Sequence, residues 1–383
     1  MLRILCIAVY DPHTPLTGTG TRGFQIVSGL AERFTLDLVY IEGSGQPPLP
    51  EVSDSYQDRL PGVRSKFHVS FTKPGYFFFD PRVYRICRDL WLKNAYDVVI
   101  CDYGLSAVYG LLLSRRFDAP FIYFSHNIEY RANIRKARSD WRRIPLIPYV
   151  YAIEKLGVRR ALMVSAITEI DRAFYTRWVS PERLVVVPQG FDERVYNPFY
   201  DPPSNDRTVV LFCGNYAIPF NRDVVRFVVR HVVPAIVASH PLALFKFVGA
   251  HPPAGYDHPN VTFTGFIDEY PDVLKAADAV IAPLQDGFGF PTKVIEALAC
   301  GKHVVATPIG ARGIEGKYAT LHISSNKNFA NTLDRVLSKG ETVSQVDFDR
   351  LVERYSWSRL VEQLASRMET VVRTEPSGSA RAE

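Results

Sequence analysis

The sequence predicts an α/β protein built as two doubly wound, Rossmann-like domains. Three observations carry this reading. Apolar runs of strand length alternate with helix-length segments through both halves of the chain. At 383 residues the chain is long enough for two domains with sizeable cores. A Pro/Asp/Asn-rich stretch, Asn197–Arg207, separates the halves. The expected domains are residues 1–197 and 207–355, followed by a last helix over 356–373.

Leu2–Tyr10 (LRILCIAVY) is a near-continuous apolar run, the pattern of a parallel strand buried on both faces. A polar loop over Thr14–Thr21 and a helix from about Arg22 to Glu32 follow. Gly18-Thr19-Gly20-Thr21-Arg22-Gly23 satisfies G-x-G-x-x-G, and Glu42 ends the next strand, Thr35–Ile41, where a ribose-binding acid would stand. An NAD site is therefore an alternative, although these glycines follow a loop with two prolines rather than a tight turn. Gln46–Arg64 reads as a loop and Phe67–Phe71 as a short strand. Gly75–Tyr96 is rich in aromatic and basic residues and is helical from Pro81. Asp97–Cys101 and Pro120–Phe124 resume the strands around a helix over Leu105–Arg115, and Val164–Thr168 and Leu184–Val187 complete this half.

Ser125-His126-Asn127-Ile128-Glu129 comes straight after one of these strands. Ligands bind α/β sheets at the carboxyl ends of their strands, which gives His126 a functional place; the plainer alternative is a structural loop histidine. Arg131–Arg143 then carries six basic residues against Asp140 alone, with Trp141, Ile144, Leu146, Ile147, Tyr149 and Tyr151 beside them. Such a patch, with the Tyr76–Phe79 cluster, seats a protein on anionic lipid, or else is a solvated helix face next to a core segment.

The second half repeats the alternation. Thr208–Cys213 is a strand ending in Gly214-Asn215, followed by a helix over about Arg222–His231. Ala243–Val248 and Val261–Phe263 are strands, Tyr270–Ala276 a helix, and Ala279–Pro283 the strand that leads into Asp286–Glu315. That stretch reads as a glycine-rich loop, a short helix, a buried strand (His303–Thr307) and a second glycine-rich loop. Pro291 suits the first helical position and Gly301 the position just past the end. Ile295, Leu298 and Ala299 form the core face, while Lys293 and Glu296, three apart, are neighbours on another side. A helix start opened by Gly287 and Gly289 offers backbone N–H groups and a positive dipole end to an anion. Lys293 adds a full charge suited to a diphosphate, and Glu296 accepts hydrogen bonds from two adjacent ribose hydroxyls. The bland alternative is a surface Lys–Glu pair on an ordinary helix. Tyr355-Ser356-Trp357 opens the final amphipathic helix to about Val372, and the tail from Glu375 is expected to be disordered.

Composition narrows the classes. With 47% hydrophobic and 22% charged residues the chain is an ordinary globular protein, and a net charge of +5 permits an anionic substrate or membrane surface without demanding nucleic acid. The five cysteines are scattered without a CxxC pair, so they read as buried hydrophobes in a reducing compartment. The start, MLRILCIAVYDPH, has too short an apolar run and no small-residue cleavage site for a signal peptide, and no segment reaches transmembrane length. The expected location is cytoplasmic, with contact at the inner face of a membrane.

The Asp286–Glu315 segment resembles the donor-binding signature of glycosyltransferase family 4, the retaining, nucleotide-sugar-dependent enzymes of the two-domain GT-B fold. The match is closest to the branch with a lysine three residues before the glutamate, here Lys293-Val294-Ile295-Glu296-Ala297. The commoner pattern has two glutamates separated by seven residues; the first position falls here on Phe288, and Asp286 lies two residues too early. Many members also place an Arg and a Lys after the strand that here ends at Gly214; this chain has Asn215 and Tyr216.

The resemblance implies a hexosyltransferase with its active site in the cleft between two domains and a last helix crossing back to the first. Catalytic roles fall on His126, Lys293 and Glu296. Donor contacts fall on Gly20, Gly214, Asn215, Gly289, Phe290, Pro291, Thr292, Lys293 and Glu296. Thr19, Asn127 and Glu129 stand on the acceptor side. The expected partners are a nucleoside-diphosphate sugar as co-substrate and a saccharide or lipid-linked acceptor, with no nucleic acid and no metal or other cofactor. Asp347-Phe348-Asp349 matches a D-x-D metal pattern but lies in the C-terminal surface region, so it is not read as a metal site. A nucleotide-sugar epimerase and a non-catalytic partner subunit are the alternative functions.

Overall fold

The computed structural model describes residues 1–8, 18–42, 63–70, 79–138, 140–200, 207–267, 269–287, 289–339 and 345–374. The chain divides into two compact units, Met1–Gln189 with Leu360–Glu383, and Gly190–Arg359.

In the first unit the elements run β1 (Arg3–Ala8), α1 (Gly18–Ala31), β2 (Thr35–Glu42), β3 (Ser65–Ser70), α2 (Pro81–Lys93), β4 (Val98–Asp102), α3 (Ala107–Phe117), β5 (Phe121–Phe124), α4 (Glu129–Ala137), α5 (Ile147–Arg160), β6 (Val164–Ala166), α6 (Glu169–Tyr175) and β7 (Leu184–Val186). The strands form one parallel sheet in the order β3-β2-β1-β4-β5-β6-β7. β1, β4 and β5 are almost wholly buried, as their unbroken apolar sequences require of strands covered by helices on both faces. Helix starts are chemically marked. Asp80 caps α2 by accepting the Arg82 N–H at 2.8 Å, with Pro81 at the first position, and Thr168 caps α6 by accepting the Asp171 N–H at 3.1 Å.

One boundary corrects the sequence reading. The expected loop over Thr14–Thr21 gives way to helix by Gly18, so Gly18, Gly20 and Gly23 all lie on α1. The reason is packing: Ile26, Val27 and Leu30 bury one face of α1, and Arg22 anchors its second turn. The Arg22 guanidinium is fully buried and donates to the carbonyls of Val187 (2.7 Å) and Pro188 (3.0 Å) beyond β7.

In the second unit the elements are β8 (Val209–Cys213), α7 (Pro219–Phe227), α8 (Val233–Ser239), β9 (Leu244–Val248), β10 (Val261–Gly265), α9 (Tyr270–Lys275), β11 (Ala279–Ala282), α10 (Thr292–Ala299), β12 (His303–Ala306), β13 (Leu321–Ile323), α11 (Phe329–Lys339) and α12 (Gln345–Tyr355). A parallel sheet of order β10-β9-β8-β11-β12-β13 is the result. α7 and α8 are joined by a π-helical turn, Val228–Val232, that ends two residues before Pro234, whose missing N–H breaks the ordinary ladder. The segment from Gly190 packs with this unit: Phe191 N–H donates to the Tyr355 carbonyl at 2.9 Å, and Tyr196 and Tyr200 lie against its core.

The last helix, α13 (Trp357–Thr374), belongs to the first unit from Leu360 onward. It buries Leu360, Val361, Leu364, Ala365 and Met368, each large aliphatic side chain contributing about 1.5–3 kcal/mol. Val361 fits over Gly29 of α1, where an added Cβ would meet its side chain at 2.7 Å. Asp347, expected at the surface, is buried on α12 and accepts the Ala319 N–H at 2.8 Å, so this half of the D-x-D pattern serves the fold. Among the described residues no helix is long and apolar enough to cross a membrane.

Candidate active site

In a doubly wound sheet the ligand crevice opens where strand order reverses, outside the carboxyl ends of the two strands that flank the reversal. In the second unit those strands are β8 and β11. Gly214-Asn215 follows β8, and Asp286–Lys293 lies on the path from β11 into α10.

The β8 side is pinned from several directions. Gly214 N–H donates to the Val248 carbonyl at 2.9 Å, Asn215 Oδ1 accepts the Ala217 N–H at 3.0 Å, and the Asn215 carbonyl accepts from Asn221 Nδ2 at 2.8 Å. Gly249 crosses so close that a Cβ there would lie 2.0 Å from the Gly214 carbonyl oxygen, and its φ of 134° disfavours any other residue.

On the β11 side, Gly289 takes a φ of 84°, and Phe290 packs its ring 5.7 Å from that of Tyr355. Pro291 occupies the cap position rather than the first helical one, with no side-chain cap bond, and Thr292 opens the helix. Thr292 and Val294 N–H groups turn back to the Phe290 and Pro291 carbonyls (3.0 and 2.9 Å), so the helix start keeps fewer donors for an anion than the sequence implies. The helix stop matches the sequence reading. Gly301 has a φ of 74°, its N–H donates to the Leu298 carbonyl, and Lys302 N–H to that of Ala297, both at 2.9 Å, a complete Schellman motif.

Lys293 and Glu296 share one side of α10 beside these loops. The Lys293 ammonium donates to the Cys213 carbonyl at the end of β8, next to Gly214. Lys293 is exposed, yet the protein atoms around its ammonium lower its pKa, against the opposing pull of Cys213 and Glu296. Glu296 is half-buried, and its carboxyl is pushed up to about 8 by desolvation, offset by Lys293 and by a hydrogen bond from Tyr196. Tyr270, half-buried on α9, packs against the core cluster that includes Cys213 and Ile295. Gly214, Asn215, Lys293 and Glu296 are thus brought together. Tyr196 and Tyr270 were not legible, because each reaches the site from a remote segment with no local motif. Phe288, the position of the missing first glutamate, lies outside the described residues.

The remaining sequence candidates lie in the first unit. His126 follows β5 and is buried, its Nε2 2.7 Å from Oδ1 of Asp102, the last residue of β4. Tyr103, next in the chain, holds a φ of 76° and sets its ring 5.6 Å from the imidazole. A non-glycine residue in that region stores about 1–3 kcal/mol, which marks a constraint at this strand end. Asn127 is half-buried. Glu129, expected on the acceptor side, is instead buried at the start of α4, its carboxyl raised by desolvation first and by the charge of Glu154 second. Thr19 and Gly20 lie in the first turn of α1, with Gly20 buried.

Known proteins resemble the chain in both halves. A family model described as "Glycosyl transferase 4-like domain" matches residues 17–190, and one described as "Glycosyl transferases group 1" matches residues 207–339. The chain is 23% identical over 325 residues to a D-inositol 3-phosphate glycosyltransferase of Thermobispora bispora, covering 76% of this chain and 75% of that one. A Corynebacterium glutamicum protein of the same name is 26% identical over 316 residues, 72% of each chain. Among solved structures, sucrose-phosphate synthase from Thermosynechococcus elongatus superposes with a TM-score of 0.71 at 20% identity, covering 98% of this chain and 100% of that one. Anabaena HepE in complex with UDP and glucose gives 0.69 at 15% identity, covering 97% and 100%.

Proposed function

The chain belongs to the GT-B glycosyltransferases, and from that membership we propose that it moves a hexose from a nucleoside-diphosphate sugar to an acceptor hydroxyl with retention of anomeric configuration. The observation that carries this reading is the convergence of Lys293 and Glu296 with Gly214-Asn215 at the β8/β11 reversal. Breaking the anomeric C–O bond sends its electron pair to the departing diphosphate and leaves oxocarbenium character on the sugar. Lys293 and the start of α10 meet the growing negative charge, and Glu296 holds the ribose hydroxyls. His126, steadied by Asp102, hydrogen-bonds the transferred sugar. The reading is also supported by the UDP-bound neighbour.

The test is a thermal-shift panel of UDP, GDP, ADP, their hexose conjugates and NAD(P). A ligand that binds only the folded state raises its apparent stability. A selective rise with one nucleoside diphosphate, lost in Lys293→Ala and Glu296→Ala, is the expected result. A rise with NAD(P) alone moves the site to Gly18–Gly23 and overturns the reading.

The acceptor we infer to be presented at an anionic membrane, in polysaccharide or glycolipid assembly. One surface favours this: Trp141 and Ile144 are 72% and 56% exposed, next to exposed Arg131, Arg138 and Arg142. Tyr76–Phe78 of the expected aromatic cluster lie outside the described residues, and burial lowers the pKa of Lys136 against the opposing charge of Glu129.

A further inference from the structure

His126 sits on a loop of only four residues between β5 and α4, and the bond from Ser125 Oγ to the Asn127 carbonyl lies within that loop while the other ties come from outside it. Glu154, on α5 and 1% exposed, accepts the Glu129 N–H through Oε1 at 2.9 Å and the Tyr130 N–H through Oε2 at 3.0 Å. Ile128, at the cap position of α4, supplies no side-chain cap, so Glu154 does from a remote helix what a capping residue does locally. Tyr175, the last residue of α6 and fully buried, places its hydroxyl 2.8 Å from Glu154 Oε1, 2.8 Å from Ser125 Oγ and 3.2 Å from the Asn127 carbonyl. Ser125 Oγ reaches the same Asn127 carbonyl at 2.8 Å. The residues before and after His126 are therefore tied to one Glu–Tyr pair, while the imidazole itself is tied to Asp102.

We propose that Glu154 and Tyr175 are positioning residues for the glycosyl transfer, setting the backbone on either side of His126 so that its ring is held at one place. A buried polar network that is fully joined specifies a single geometry, and an error of about 1 Å at a reacting centre costs on the order of a hundredfold in rate. Both residues are buried, 1% and 0% exposed. The pair acts through His126, so the inference rests on the role proposed for that residue.

Tyr175→Phe keeps the ring and removes the one oxygen that joins three partners; Glu154→Gln is the second variant. Each is compared with His126→Ala in two measurements. The first is amide hydrogen exchange of residues 125–131 in the donor-free protein, read by mass spectrometry. The second is turnover of UDP-, GDP- and ADP-linked glucose and mannose, with affinity for the matching nucleoside diphosphate measured by calorimetry. The expected result is faster exchange confined to residues 125–131, a fall in kcat of tenfold or more, and nucleotide affinity within twofold of the parent. Adding Tyr175→Phe to His126→Ala is expected to lower kcat little further. Unchanged exchange in both variants overturns the inference whatever the donor proves to be, as does faster exchange with unchanged kcat. His126→Ala at the parent rate, or no turnover of any of these donors by the parent, overturns the functional reading instead.

Discussion

Lys293 and Cys213 are joined across the second unit: the lysine ammonium on α10 donates to the cysteine carbonyl that ends β8. The bond holds the lysine side chain beside Gly214, so on the proposed reading little side-chain entropy would remain to be lost on binding a diphosphate. Charge-assisted hydrogen bonds contribute about 1.5–3 kcal/mol. Lys293→Ala is expected to weaken nucleoside-diphosphate binding about ten- to a hundredfold in calorimetry, with little change in melting temperature because the side chain is exposed. Parent-like affinity would remove Lys293 from the site.

Gly249 gives a sharper prediction about the loop that faces this lysine. A Cβ there meets the Gly214 carbonyl at 2.0 Å, and backbone cannot give way as a flexible side chain does. Gly249→Ala should cost about 3 kcal/mol or more of stability in denaturant unfolding, or prevent folding. A soluble variant of parent stability would show that these two strand ends are not packed as described.

The buried acids of the first unit make stability depend on pH. Glu129 is pushed up to about 8 and Glu154 to about 7, in both cases chiefly by burial. The folded state then holds protons that the unfolded chain releases near 4.5. Folding therefore loses stability as pH rises from that value through about 8, the reverse of a salt-bridged carboxylate. Glu129→Gln should flatten the fall in melting temperature over this window. An unchanged slope would mean that Glu129 is ionised in the folded protein.

Trp141 and Ile144 predict where a bilayer would be met. The double variant Trp141→Ser/Ile144→Ser should bind phosphatidylglycerol vesicles about tenfold more weakly than the parent, and added salt should weaken the parent as well. Equal sedimentation of parent and variant with vesicles would move the membrane surface elsewhere.

Much of the local geometry of the second-unit candidate site was legible because local chemistry specifies it. Gly301 ends α10 wherever that helix packs, and the three-residue spacing of Lys293 and Glu296 sets them side by side whatever surrounds them. What the sequence concealed was long-range. Asp102 stands one residue past the expected strand Asp97–Cys101, and only the pairing of β4 with β5 brings it to His126, 24 residues on. Glu154 and Tyr175 look like an ordinary helix acid and an ordinary core tyrosine until α5 and α6 are docked. The early start of α1 at Gly18 is hidden in the sequence because glycines argue locally for a loop, and burial of Arg22 and of the apolar face outweighs that cost.

The discontinuity of the first unit has a consequence for biosynthesis. Residues 190–359 form a contiguous unit and can fold as soon as they leave the ribosome. The first unit, although translated earlier, lacks the helix that covers Gly29 until Val361 emerges, and Arg22 finds its two carbonyl partners only after Pro188 is made. The part synthesised first is thus the part finished last, and for most of translation its α1 face lacks the cover that α13 supplies.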